Sequence, residues 1–117
     1  MTLSIHNLKV YAPGKGFTES KRFYLALGFT LTEAWNGTFD CKMGNAEFRL
    51  QNYYVKDWAN NFMMLFGVDN VHEWYEHART VIADGGFNAR VTEPETIGDT
   101  TICHVIDPSG ILLIFTS

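Results

Sequence analysis

The sequence predicts an α+β fold of two βαβββ modules. Together they form a curved mixed sheet around a concave cleft, with the helices on the convex face. Three observations carry this expectation. The order strand, helix, three strands can be read twice along the chain. The two helix exits rhyme, Leu27-Gly28-Phe29 against Gly85-Gly86-Phe87, and self-similarity at half the chain length is informative about fold. Finally, 117 residues with 46% apolar composition suit one domain with one core, since domains cluster near ~100 to 150 residues. The organisation is therefore a single domain, with module one at 1–54, a connecting loop at 55–60 and module two at 61–117.

In chain order, Leu3 to Tyr11 alternates apolar and polar residues, the pattern of a half-buried strand, and stops at Ala12-Pro13-Gly14. Thr18 is placed to cap a helix that buries Phe23 and Leu27, and Gly28 suits its left-handed stop. Three strands follow, Phe29 to Trp35, Thr38 to Met43 and Ala46 to Tyr53, joined by Asn36-Gly37 and Gly44-Asn45 as two-residue hairpin turns. After the loop, Phe62 to Val68 reads as a strand. A helix then starts at Asn70, with Glu73 three residues on in a capping-box arrangement. Its buried stripe is Trp74, Ala78, Val81 and Ile82, and Gly85-Gly86 ends it. Strands Phe87 to Thr92, Thr100 to Ile106 and Ile111 to Thr116 complete the module, the last two turned by Asp107-Pro108-Ser109-Gly110.

Composition narrows the function classes. Nine basic residues against thirteen acidic ones give a net charge of −4, and the basic residues are scattered, so the electrostatic track of a nucleic-acid binder is missing. No apolar run approaches the ~18 residues of a membrane span, and the first residues lack the basic and apolar regions of a signal peptide. Cys41 and Cys103 lie far apart in apolar stretches and read as buried reduced thiols, which places the protein in the cytoplasm.

Two motifs tie the chain to a family. Phe23-Tyr24-x-x-Leu27-Gly28-Phe29 is close to FYxxxLGF, and Asp107-Pro108-Ser109-Gly110 before the final strand is like DPxG. With the duplicated order, the chain resembles the vicinal oxygen chelate superfamily, which includes glyoxalase I, extradiol dioxygenases, fosfomycin-resistance enzymes and bleomycin-resistance proteins. The resemblance covers nearly the whole chain and implies a homodimer with a cleft formed or closed across subunits. Metal enzymes of that superfamily place His or Glu at four equivalent points, which fall here on Ile5 or His6, Arg49, Met63 or Met64, and Ile114. An isoleucine coordinates nothing, and an arginine repels a divalent cation. The resemblance therefore implies a chain that has lost its metal site and carries no cofactor. It is closest in type to the bleomycin-resistance proteins, sequestering an aromatic or cationic small molecule rather than transforming it.

The residues expected to line that cleft are Trp35, Arg49, Gln51, Tyr54, Trp58, Met64, His104 and Ile114. Arg49 shares strand parity with Glu47 and Gln51, giving either a cleft-lining polar strip or a solvent-facing strand. His104 faces the cleft if Cys103 and Val105 pack under the helices; otherwise it is a half-buried histidine satisfied by a carbonyl. His6 has the same two readings, and its parity with Leu8 and Val10 favours the core. The loop aromatics Tyr53, Tyr54 and Trp58 suit stacking on a ligand or fastening the loop. His72 and His77 imitate a zinc signature, but five residues apart on a helix they diverge by about 140°. Two other classes remain in view: a divalent-metal lyase, isomerase or dioxygenase using a displaced set such as His6, Glu47 and His104, and an interaction module with a filled cleft.

Overall fold

Strands bury alternate residues and helices bury one stripe, and both periods recur in each half of this chain. The structure, a computed structural model, describes residues 2–117. Module one holds β1 (Tyr11–Pro13), α1 (Phe17–Leu27), β2 (Thr30–Glu33), β3 (Phe39–Met43) and β4 (Ala46–Gln51). A single helical turn, α2 (Lys56–Ala59), lies in the connection. Module two holds β5 (Met63–Gly67), α3 (Val71–Gly85), β6 (Arg90–Val91), β7 (Glu95–Ile97), β8 (Thr100–Ile106) and β9 (Leu112–Thr116).

The two sheets have matching topology. One runs β1-β4-β3-β2 with β1 parallel to β4, the other β5-β9-β8-β6 with β5 parallel to β9, and β7 also pairs with β8. The βαβββ repeat is therefore real, with one extra short strand in the second copy. Among the described residues no ladder joins the two sheets, so β1 and β5 each keep a free edge. Helices α1 and α3 pack together and against their own sheets. Phe23, Tyr24, Leu27, Phe48, Val105, Leu113 and Phe115 form one core across both modules.

The family motifs explain each other in this packing. The Tyr24 hydroxyl donates to Asp107 Oδ2 at 2.6 Å, while the Ser109 and Ile111 amides donate to Oδ1 at 2.8 and 2.9 Å. Ser20 and Ser109 hydroxyls meet at 3.1 Å, and the Lys15 amide donates to Ser109 Oγ. A tyrosine on the first helix thus holds the last turn of the second module. Gly28 ends α1 at φ 115°, and a β-carbon there would lie 2.9 Å from the Met43 methyl, so shape and backbone both select glycine.

Several elements differ from expectation for identifiable reasons. The first strand is three residues, not nine. β4 begins opposite residue 8, so the preceding segment overruns its partner and leaves Leu3, Ile5 and Leu8 at 84%, 88% and 81% exposure. Thr18 lies inside α1, which starts after Gly16 without a side-chain cap. Asn36 and Gly37 do take positive φ, but within a five-residue connection, because the Thr38 amide and hydroxyl both donate to the Trp35 carbonyl. The Gly44-Asn45 turn and the Asn70 cap, which accepts from the Glu73 amide, are as expected. Phe87 precedes β6, which is only Arg90–Val91, and β7 was not foreseen because Glu95-Thr96-Ile97 is exposed throughout and has no buried face to pattern.

Candidate functional site

Each helix covers the inner face of its own sheet, leaving two outer faces of opposite character. On the first sheet, Cys41, Phe48 and Leu50 point inward, so Asp40, Glu47 and Arg49 occupy the outer face. Arg49 grips Asp40 with two nitrogens, Nε to Oδ1 at 2.8 Å and Nη2 to Oδ2 at 3.2 Å, and its Nη1 donates to the Tyr11 hydroxyl at 3.4 Å. Lys9 closes the network, 2.7 Å from Asp40 and 3.5 Å from Glu47. The Arg49 hydrogen bond and the neighbouring Lys9 hold the Asp40 carboxyl down to about 2. With Lys42, which lies opposite Glu47 across the ladder, three cations meet two anions on this face, so the strip is polar, preorganised and weakly cationic.

The outer face of the second sheet is hydrocarbon. Cys103 and Val105 are buried, which turns Ile102, His104 and Ile106 outward. Across the ladder, Ile114 lies between His104 on one side and Leu65 on the other, with Met63 opposite Leu112 beyond them. Leu65 is 68% exposed, well beyond what a strand of a covered sheet shows. The His104 amide donates to Thr92 Oγ1 and its carbonyl receives the Thr92 amide, so the backbone is fixed while the ring stands on the apolar face.

The expected site residues divide into three groups. His104 and Ile114 share the apolar face, and Arg49 and Gln51 belong to the polar strip. Met64 is turned the other way: strand alternation sends it to the helix side, where it packs on the core, and Met63 takes the outer position. Tyr54 is half-buried beneath Lys15, whose ammonium lies 5.4 Å from its ring, beside Asn88 and Pro108 rather than on either face. Trp35 and Trp58 stand exposed on connections, and Trp58 leans on Tyr53 at 6.4 Å between centroids. Among the described residues these groups stand on different elements and faces of the chain.

The histidines settle by geometry. His77 Nε2 meets the Leu27 carbonyl at 2.8 Å, tying α3 to the end of α1, and its partner in the false motif, His72, is exposed. His6 is exposed in the N-terminal segment, not directed into the core. The side chains at the four points that the resemblance singled out do not fit a divalent ion: Ile114 and Met63 are apolar, Arg49 already serves Asp40, and at Ile5 or His6 at most one imidazole is on offer. Nor does the displaced set of His6, Glu47 and His104 converge among the described residues. Cys41 and Cys103 are free buried thiols, and burial pushes the Cys41 thiol up to about 12. Unused by any expectation is a groove of about 740 Å³ between the Gly44-Asn45 turn and the start of α3.

Paired βαβββ modules with helices inward and open sheet faces define the glyoxalase-like architecture. Solved structures bear this out. The bleomycin resistance determinant encoded on transposon Tn5 superposes with a TM-score of 0.77 at 21% identity over 97% of this chain and 98% of that one. The bleomycin-binding protein of bleomycin-producing Streptomyces verticillus, complexed with copper(II)-bleomycin, gives 0.78 at 15% identity over 99% and 98%. A putative glyoxalase family protein from Bacillus anthracis gives 0.68 at 21% identity over 99% and 98%. No protein-family profile and no curated protein sequence matches the chain. The fold is thus that of bleomycin-resistance and glyoxalase-family proteins.

Proposed function

We propose that this protein is a metal-free binder of an aromatic or cationic small molecule, working as a homodimer in the cytoplasm. The observation that carries this reading is the pair of uncovered sheet faces, one a polar, ion-paired strip and the other hydrocarbon. In the dimer, the apolar face of one copy lies opposite the polar strip of the other. The enclosed ligand is held by burial against Ile114, Leu65 and Met63 and oriented by Arg49, Gln51 and His104. Trp35 and Trp58, exposed on loops, supply stacking surfaces at the mouth.

Three features support the second copy. Each sheet has a strand, β1 or β5, whose outer edge is free among the described residues. The segment before β1 is patterned as a strand and exposes Leu3, Ile5 and Leu8. An uncovered apolar sheet face stabilises association when another surface covers it. Free buried thiols suit a reducing compartment, and among the described residues no helix is long and apolar enough to cross a membrane.

The test is calorimetric titration of bleomycin and a panel of aromatic amines, first into the native protein and then into Ile114→Asp. The expected result is saturable binding that the added carboxylate weakens at least tenfold, since it places a desolvated charge in the apolar wall. Binding that ignores the substitution places the ligand elsewhere, and absence of binding across the panel overturns the reading.

A further inference from the structure

The internal repeat exposes an asymmetry. If Phe17 and Val71, the first residues of α1 and α3, are matched, then Ala78 stands where Tyr24 does and Trp74 where Ser20 does. On the Tyr24 side the Asp107–Gly110 turn fills the junction between modules through the hydrogen bonds to Tyr24, Ser20 and Lys15. On the Ala78 side the matching turn is only Gly44-Asn45, and among the described residues no hydrogen bond connects it to α3. What the first junction fills with a four-residue turn and a tyrosine, the second leaves as the 740 Å³ groove.

The walls of this groove are specific. Trp74 stacks on Phe115 at 4.6 Å and 19°, and Phe115 stacks on Phe66 at 5.1 Å and 18°, forming a continuous aromatic column. Phe29 meets Phe66 edge-on, and Met43, Leu65 and Val68 extend the apolar lining. Charge enters with one sign only: Asp69 and Glu73 line the groove, no lysine or arginine does, and neither carboxylate has an ion-pair partner among the described residues. The start of α3 opposes them with a partial charge of about +0.5, less than two carboxylates supply, and its Glu73 amide is already capped by Asn70. The volume lies within the ~300 to 1,000 Å³ usual for small-molecule sites.

We propose that this junction is a second ligand site, sharing only Leu65 with the apolar sheet face, that takes a small organic cation carrying an aromatic ring. The ring lies against Trp74 and Phe66, and the ammonium is held between Asp69 and Glu73. The apolar column alone would accept any flat hydrocarbon; the two carboxylates select the cation. Its lining comes from one chain, with Phe66 and Phe115 facing the helices, and Leu65 is the one residue it shares with the proposed dimer cleft.

The probe is 2-phenylethylammonium, with 2-phenylethanol as the neutral comparator, followed by chemical-shift changes at the Trp74 indole and the Gly67 and Asn70 amides. The expected result is saturable binding of the cation, at least tenfold tighter than the alcohol and weakening as ionic strength rises. In the double variant Asp69→Asn, Glu73→Gln, the cation should bind no better than the alcohol, while titration of bleomycin is unchanged. Equal affinity for cation and alcohol, or retention within threefold by the variant, overturns the proposal. So does saturation without any response from Trp74. Should the variant fail to fold, the salt dependence and the cation-to-alcohol ratio of the native protein decide alone.

Discussion

Replacing Tyr24 with phenylalanine isolates the contact that joins the two sequence motifs. The ring is fully buried and packs edge-on with Phe23, Phe29 and Phe48. Phenylalanine keeps those contacts and removes only the hydroxyl. What is lost is one 2.6 Å hydrogen bond to a carboxylate that is 2% exposed. A bond to a buried charged acceptor is worth about 1.5–3 kcal/mol. At about 4 °C per kcal/mol for a domain of this size, the melting temperature should fall ~6–12 °C. The penalty should also depend on pH. Burial raises the Asp107 carboxyl above its ordinary 3.8, and the Tyr24 hydroxyl is the first of the groups that pull it back. Removing that hydroxyl raises it further. A carboxyl raised in the folded state destabilises most above its folded value and not at all below its unfolded one. The penalty is therefore greatest at pH 7 and shrinks toward pH 4. Urea unfolding at pH 7 and 4.5 reads both effects. A loss below about 0.5 kcal/mol, or one of equal size at the two pH values, refutes the reasoning.

The remaining predictions concern the outer faces and loops. Asp40, held down to about 2 chiefly by Arg49, contributes stability that is present above its unfolded value and lost as pH falls through its folded one. The stability gap between native protein and Asp40→Asn should therefore close between pH 5 and pH 2; a gap that stays constant in acid urea titrations contradicts the network. Trp58→Ala, at a residue 67% exposed, should weaken binding of aromatic ligands roughly fivefold to tenfold with little change in melting temperature, and unfolding instead would make it a structural anchor. Deleting residues 2–8 should shift the protein from dimer to monomer by light scattering while its far-ultraviolet spectrum persists. A deleted protein that stays dimeric removes the N-terminal segment from the interface.

The fold was legible because its signals were local and repeated. Gly28 and Gly86 both take the left-handed stop expected of them, Asn70 caps α3, and the alternation through Cys103, His104 and Val105 gave the correct facing of the strand. The first strand misled because alternation reports a chain suited to a sheet, whereas pairing also needs a partner, and β4 is too short to provide one. Met64 was misplaced by one residue of register, which in a strand reverses the facing. Arg49 was correctly suspected of an outer position, but its pairing with Asp40 and Lys9 depends on three strands meeting and has no signature along the chain. The groove beside α3 was invisible for the same reason. Its aromatics read as core residues, and only the absence of a second Tyr24 at Ala78 hints that the junction is unfilled.

Apolar side chains and an ion-paired arginine occupy the positions that the family resemblance assigns to metal ligands. Elemental analysis of protein purified without chelator tests this most directly. The account predicts far less than one zinc, nickel, manganese or iron per protomer, with ligand binding indifferent to chelation. One tightly held ion per protomer, whose removal abolishes binding, contradicts it.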